Sequence, residues 1–403
     1  MKIALIGPTY PFRGGIAHHT TLLCRALRKK HEVKFISFKR QYPKILFPGK
    51  SDRDPSKKPV TIDNVDYLLD SLNPFSWIKV YRAIKEFKPE KVVVPWWVAS
   101  WMPQFWTITS LIKRNLEAEV VFICHNAVEH ESNGLKRRAT KAVLSRAMRI
   151  ITQSKEDTEN LKDLFGDEIK CITAFHPTYS ELANTKYSKD YAKKILGLRG
   201  DVLLFFGFIR DYKGLDVLLK AMPMVIKEKR EATLLVVGEF WNDKKKYMNI
   251  INDNRTAGNI TIIDEYIPNE GIGKYFAAAD LVVQPYISAS GSGICQIAYG
   301  FDRPVIATNV GSLPDVVQDG INGRIVKPRD HHGLAEAILE SLEKDTLDTL
   351  TRNAEKTKER FSWERMADIV TGVSAENKND QAELSAGSSH ENIQIPGYPA
   401  ATS

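Results

Sequence analysis

Cysteine is scarce in this chain: four residues in 403, Cys24, Cys124, Cys171 and Cys295, with no C-x-x-C pair among them. That usage argues against a disulfide scaffold, and most of the four sit among apolar residues. They read as small core residues of a reduced, cytoplasmic compartment. A secretory leader is not expected either, since the apolar run after Met1-Lys2 is short and Pro8 closes it. An unbroken apolar run of membrane-spanning length is lacking. The nearest approach, "VVVPWWVASWMPQFWTITSLI" (Val92 to Ile112), is uncharged but holds Pro95, Pro103, Gln104 and several hydroxyl residues. It predicts a strand ending at Val94, then a Trp-rich loop and a helix. Finally, the glycine-rich stretch "GPTYPFRGGIAHHT" (Gly7 to Thr20) lacks the G-x-G-x-x-G of a dinucleotide site and the Gly-Lys-Ser/Thr of a phosphate loop. A dehydrogenase is disfavoured on that ground.

What is present is an ordinary globular composition, 43% hydrophobic and 26% charged, in a chain long enough for two domains. The charge is uneven. Residues 1–150 hold 27 Lys and Arg against 12 Asp and Glu, a net of +15, while the rest nets −7 within the overall +8. A basic half predicts attraction to something anionic, such as a membrane surface or lipid phosphate. "LRKK" (Leu27 to Lys30) and "LKRR" (Leu135 to Arg138) fit that reading and a plain solvated surface equally well.

Short apolar runs alternate with amphipathic segments. Strands are predicted at Ile3–Ile6, Val33–Phe38, Val92–Val94, Val120–Cys124 and Ile150–Thr152, and helices at Ala17–Lys29, Pro74–Phe87, Leu135–Arg146 and Lys155–Leu164. After a last strand near Ile172 and a polar stretch, the alternation restarts with strands at Val202–Phe206, Thr233–Val237, Ile260–Ile263, Leu281–Gln284 and Pro304–Ala307. The pattern predicts an α/β fold of two Rossmann-like doubly wound domains, joined near residues 176–190. From about Glu376 the chain is polar and aperiodic, which predicts a disordered tail. Two such sheets facing each other bind ligands in the cleft outside the carboxyl ends of their strands.

The residues after the strands suit that place. "GFIRDYKGLDVLLKAM" follows Val202–Phe206: Gly207 permits a tight turn, and Arg210 and Lys213 precede a helix start. Two cations at a helix N-terminus point to a diphosphate site, against the alternative of ordinary loop charges. "SASGSG" (Ser288 to Gly293) leads into a helix near Ile294 and forms a second candidate anion cradle, or a flexible loop. His125 follows Val120–Cys124, where it could face the cleft or serve structure.

With "GGIAHH", "LLVVGEFWNDKKKY" and "FAAADLVVQPYISASGSGICQIAYGFDRPVIATNVGSLPDVVQDGINGRIV", these segments resemble family 4 glycosyltransferases over about residues 1–375. The resemblance implies a retaining enzyme of the GT-B fold that moves a sugar from a nucleotide-sugar donor to an acceptor. It implies an N-terminal acceptor-side domain over 1–185 and a donor domain over 186–360. A helix within 361–375, from "FSWERMADIV", would cross back to the first domain, and the tail would be 376–403. Arg210 and Lys213 would hold the diphosphate, with Gly14 and Gly15 approaching from the other domain and His125 facing the transferred sugar. Gly207, Gly238, Glu239, Ser290, Ser292, Gly293, Ile294 and Gln296 would complete the donor site. His18 would lie on the acceptor side. One departure concerns a pair of glutamates that many relatives carry around the last loop: Ala289 and Ile297 stand at those places.

Asp52-Arg53-Asp54 has the form of a metal-binding pair, but it lies in a basic loop with no strand before it and reads as solvated. No metal or other cofactor is expected, since cations already offset the leaving-group charge. Trp96, Trp97, Trp101 and Trp106 are expected near the acceptor side, for packing against lipid or sugar or against neighbouring helices. Joined to the basic half, they favour a glycan or lipid-linked acceptor, met by a cytoplasmic protein peripheral to an anionic membrane. The competing readings are a sugar-nucleotide epimerase or hydrolase of the same fold, and a non-catalytic nucleotide-sugar-binding subunit.

Overall fold

The computed structural model describes residues 1–42, 52–126, 134–166, 169–179, 187–241, 243–289 and 292–373. Two parallel sheets organise it. The first holds β1 (Lys2–Ile6), β2 (Glu32–Arg40), β3 (Val65–Asp70), β4 (Lys91–Trp96), β5 (Glu119–Cys124), β6 (Arg149–Thr152) and β7 (Cys171–Thr173), in the order β3-β2-β1-β4-β5-β6-β7. The second holds β8 (Val202–Phe206), β9 (Thr233–Val237), β10 (Ile260–Ile263), β11 (Leu281–Gln284), β12 (Val305–Thr308) and β13 (Gly323–Val326), in the order β10-β9-β8-β11-β12-β13. Inner strands such as "ALI" in β1 and "VLLF" in β8 are buried on both faces, which is why they read as unbroken apolar runs. In each sheet the strand order reverses beside the first strand, β1 or β8, and opens a crevice at the carboxyl edge. The GT-B architecture of two Rossmann-like domains is therefore present.

The helices of the first part are α1 (Gly15–Arg28), α2 (Pro74–Phe87), α3 (Met102–Asn115), α4 (Gly134–Leu144) and α5 (Lys155–Phe165). Those of the second are α6 (Lys189–Leu196), α7 (Leu215–Glu228), α8 (Lys244–Asp253), α9 (Asn269–Ala278), α10 (Gly293–Gly300), α11 (Leu313–Val316), α12 (His331–Ser341), α13 (Lys344–Arg360) and α14 (Trp363–Thr371). No helix among the described residues is long and apolar enough to cross a membrane. The tail expected from Glu376, and part of the expected join, lie outside the described residues.

Several elements depart from the sequence reading. Strand β4 continues through Pro95 and Trp96, opposite Ile123 and Cys124, where a loop was expected. Pairing with β1 stops at Val93, so the missing N–H of Pro95 interrupts no ladder on that side. Edge strand β3 escaped notice because "VDYLLD" is only partly buried and carries two aspartates. Helix α13, the longest described, buries only Leu350, Ala354 and Thr357, a stripe too thin to show a helical period.

Helix α14 packs on α1. Ser362 caps it by accepting from Arg365 N at 3.3 Å, and Met366 is wholly buried. Lys29 pairs with Glu364 at 2.5 Å and Lys30 with Asp368 at 3.0 Å. The chain thus leaves the first domain near Thr178 and returns to it near Trp363, and these crossings are bonded to each other. Thr178 N donates to Phe361 O at 2.9 Å, and the Trp363 indole N–H donates to Thr178 O at 2.8 Å.

Met366→Ala leaves a cavity between α14 and α1 and should cost about 2–5 kcal/mol of stability, read from the urea midpoint at unchanged slope.

Candidate functional site

A cavity of about 230 Å³ lies between the two sheets' carboxyl edges. Gly14, Gly15 and His18 wall it from the first domain. Gly207, Lys213, Gly238, Glu239, Gly293 and Ile294 wall it from the second. Nine of the expected site residues are therefore brought together.

Local backbone geometry explains how. The chain leaves β8 at Gly207, pairs again through Ile209 with Phe240, makes one 3-10 turn at Asp211–Lys213 and enters α7. Gly214 has φ +67°, and a Cβ there would lie 1.9 Å from Pro285 O. Only glycine lets this turn press on the loop after β11. Gly238 has φ +150°, and a Cβ there would meet Gly207 O at 2.0 Å. The ends of β8 and β9 thus converge beneath the cavity floor.

Lys213 is 9% exposed, with its ammonium 5.6 Å above the Tyr286 ring. Burial, and secondarily Arg210, push it down to about 8. No carboxylate pairs with it among the described residues. A buried ammonium in that state fits a cavity that receives an anion. The N-terminus of α10 adds to this: Ser292 caps it by accepting from Ile294 N at 3.2 Å, and Gly293 and Ile294 face the cavity.

Several expectations are corrected. Arg210 is exposed and does not wall the cavity; its guanidinium stacks 5.2 Å over Trp241 and 5.4 Å over Tyr212. Gln296 is fully buried outside the cavity wall, its backbone oxygen accepting from Tyr179 N at 3.4 Å. Ser290 lies outside the described residues. Trp96 and Trp101 are core residues, 1% and 3% exposed, and Trp97 packs half-buried against Trp101 and Phe105, so none of the three faces the cavity. Trp106 keeps exposed surface, with Arg146 stacked 5.3 Å over its ring.

His125 also stands off the cavity wall. Its ring packs edge-on to His19 at 4.5 Å, and His19 in turn meets His176 at 5.5 Å and Trp363 at 5.0 Å. Burial, then the neighbouring His176, push His125 down to about 3. Burial likewise holds His19 well below its ordinary value and lowers His176. Three neutral imidazoles therefore fill the seam between α1, β5 and the crossing segments.

Asp54 is not solvated as expected. Its side chain is 3% exposed, 3.8 Å from His18 Nε2, and accepts from Ser56 N at 2.9 Å. Burial alone would raise it, but the adjacent His18 and hydrogen bonds from Ser56 hold it below the usual carboxylate range. The sequence reading also missed the loop after β10 and the start of α9, where Glu265, Tyr266, Ile267 and Asn269 wall the cavity. That loop follows a strand at the same carboxyl edge, which was the signal available. Ile297 is on the wall too, an aliphatic group where the resemblance placed a glutamate.

Residues 13–175 match the family described as Glycosyltransferase Family 4, and residues 200–344 match Glycosyl transferases group 1. The D-inositol 3-phosphate glycosyltransferase of Saccharomonospora viridis is 25% identical over 241 residues, 57% of this chain. The chain spans only about half of that relative's length, 56%. Spore coat protein SA of Bacillus subtilis is 23% identical over 94% of this chain and 100% of its own length. Among solved structures, Anabaena HepE in complex with UDP-glucose has a TM-score of 0.70 at 16% identity, over 93% of this chain and 99% of that one. Sucrose-phosphate synthase of Thermosynechococcus elongatus has a TM-score of 0.64 at 19% identity, over 96% and 100%. Both share the two-domain fold.

The three lowered histidines make stability fall on acidification. Below about pH 6.5 the unfolded chain takes up protons that the folded cluster refuses down to about pH 3 at His125. Thermal midpoints should drop between pH 7 and pH 5, and His125→Gln should flatten that drop.

Proposed function

From a chain built of the two domains of a family 4-type glycosyltransferase, we propose a retaining transferase. It moves a sugar from a nucleotide-sugar donor to a glycan or lipid-linked acceptor, in cell-surface polysaccharide or glycoconjugate synthesis. The observation that carries this reading is Lys213: a buried cation with no carboxylate partner among the described residues, between two glycine turns and the N-terminus of α10. The donor diphosphate supplies the missing charge.

Transfer breaks the bond between the sugar's anomeric carbon and the diphosphate oxygen and forms one from that carbon to an acceptor hydroxyl oxygen; the hydroxyl proton passes to the departing phosphate oxygen, on which negative charge develops as the old bond breaks. The Lys213 ammonium and the N–H groups at Gly15 and at the start of α10 stabilise that charge. They are fixed before the reaction, so little reorganisation is needed. The fixed Lys213 cation and backbone amides supply what a divalent metal would, and the reaction proceeds without one. The apolar wall of Ile267, Ile272, Ile294 and Ile297 excludes water from the departing group. The UDP-glucose complex of the HepE relative supports a donor of this class. The basic first domain draws the protein to an anionic membrane, where a lipid-linked acceptor is within reach.

Lys213→Ala should lower turnover by roughly 10²-fold or more, because a cation on developing charge is worth a few kcal/mol. Wild-type activity should survive excess chelator. UDP-glucose affinity should fall as pH rises through about 8, where the Lys213 ammonium is lost. A pH-independent affinity with normal turnover in Lys213→Ala would remove the assignment. Nucleotide release at full rate without acceptor would indicate a hydrolase instead.

The protein should also sediment with vesicles of anionic lipid at low salt and detach at high salt, since each basic side chain near the surface contributes about 1 kcal/mol that salt screens. Equal binding to neutral vesicles would favour a soluble acceptor.

A further inference from the structure

The Asp52–Asp54 loop reaches across the cleft, and its contacts there form a chain. Arg13 N donates to Asp52 O at 2.9 Å, and Asp54 N donates to Pro11 O at 2.9 Å, so the loop is pinned to the segment before Gly14. On its far side it meets the first residues of α9 in the other domain. Asn269 N donates to Ser56 Oγ at 3.1 Å, and Lys57 N donates to Glu270 Oε1 at 2.8 Å. The Asn269 amide nitrogen lies 3.1 Å from His18 Nε2 and 3.5 Å from Asp54 Oδ2. Asn269 is 6% exposed, and His18 and Asn269 both wall the cavity.

These distances are met by one arrangement of protons. A carboxylate only accepts hydrogen bonds, so Asp54 requires the NH₂ end of the Asn269 amide to face it. The same nitrogen then donates its second hydrogen to His18 Nε2, which must be unprotonated to accept. In the neutral ring the proton then sits on Nδ1. His18 lies in the first turn of α1, its N donating to Gly14 O at 3.2 Å, beside the glycines that wall the cavity.

We propose that Asp54 and Asn269 are positioning residues that reach across the cleft to hold His18 as an Nδ1–H donor toward the diphosphate or sugar of a nucleotide-sugar ligand. The inference rests on the nucleotide-sugar reading. It adds that the donor set is completed only when the two domains are docked through α9. Asp54 thereby has a use that binds no metal: it orients an amide. Its action on the ligand passes through two intermediaries, whereas His18 touches the ligand.

The test uses the full chain at pH 8, with histidine labelled in ¹⁵N, and titration calorimetry with a panel of uridine, guanosine, adenosine and thymidine diphosphate sugars. Wild-type His18 should show the Nδ1–H signature. Asn269→Asp replaces the donating nitrogen by an acceptor of the same shape, and should convert His18 to Nε2–H and weaken the best ligand by about tenfold, the scale of one lost directed hydrogen bond. Asp54→Asn should give a mixture of tautomers and an intermediate loss. His18→Gln should weaken binding, and Asn269→Asp should add little on top of it, because the two act in series. Thermal midpoints of all variants, taken in parallel, identify any that fail to fold, and the tautomer of the wild type stands without them. An Nε2–H signature in the wild type overturns the inference. So does Asn269→Asp with unchanged affinity, or binding that needs added divalent metal through Asp54. A wild type that binds no nucleotide sugar overturns this inference and the functional reading together; binding with an unaltered tautomer in Asn269→Asp overturns this one alone.

Discussion

A buried ammonium group with no carboxylate partner among the described residues governs the architecture of the cleft. Lys213 is buried in a place where desolvation opposes its charge. Every constraint around it serves to keep it there: the 3-10 turn that delivers it, the Gly214 backbone pressed against Pro285, and the Gly207–Gly238 contact beneath. A hydrophobic core would be better served by an apolar residue at this point. The arrangement gains its value when an anion enters, and the low dielectric that penalises the empty site strengthens the filled one.

The rest of the molecule divides along the same line. The second sheet offers charge and backbone amides at its carboxyl edge, and the first contributes glycines and a histidine from α1. Between them lies a seam of three neutral histidines and Trp363. That seam is polar enough to hydrogen-bond, as Gln153 does to His19 at 2.9 Å, yet uncharged at neutral pH. It can therefore pack like a core without the cost of buried ions.

Much of this could be read from residues alone. The alternation of apolar runs and amphipathic segments located β8, β9 and β11 to the residue, because strands buried on both faces read as apolar runs, and it located the partly buried edge strand β10 by its β-branched run Ile260–Ile263. The glycines and Lys213 were legible because they follow strands. What was not legible has physical reasons too. Whether a long side chain turns into a cleft or lies along its rim depends on neighbours distant in sequence, and Trp241 and Tyr212 claim Arg210. His125 looked like a ligand because it ends a strand, but His19 from α1 and His176 from the crossing segment enclose it. Asp54 looked solvated because its partners, His18 and Asn269, come from two other elements, one of them over two hundred residues away.

The paired crossings at Thr178 and Trp363 carry a mechanical consequence. Two domains joined by a single strand of chain can swivel in any direction, like a ball in a socket. Here two strands pass side by side and are stitched by hydrogen bonds at 2.9 and 2.8 Å. A joint of that kind resists twisting and sliding and yields mainly to bending about the line between the crossings. The two carboxyl edges then part and meet as the leaves of a door do, returning each time to the same register across the cleft.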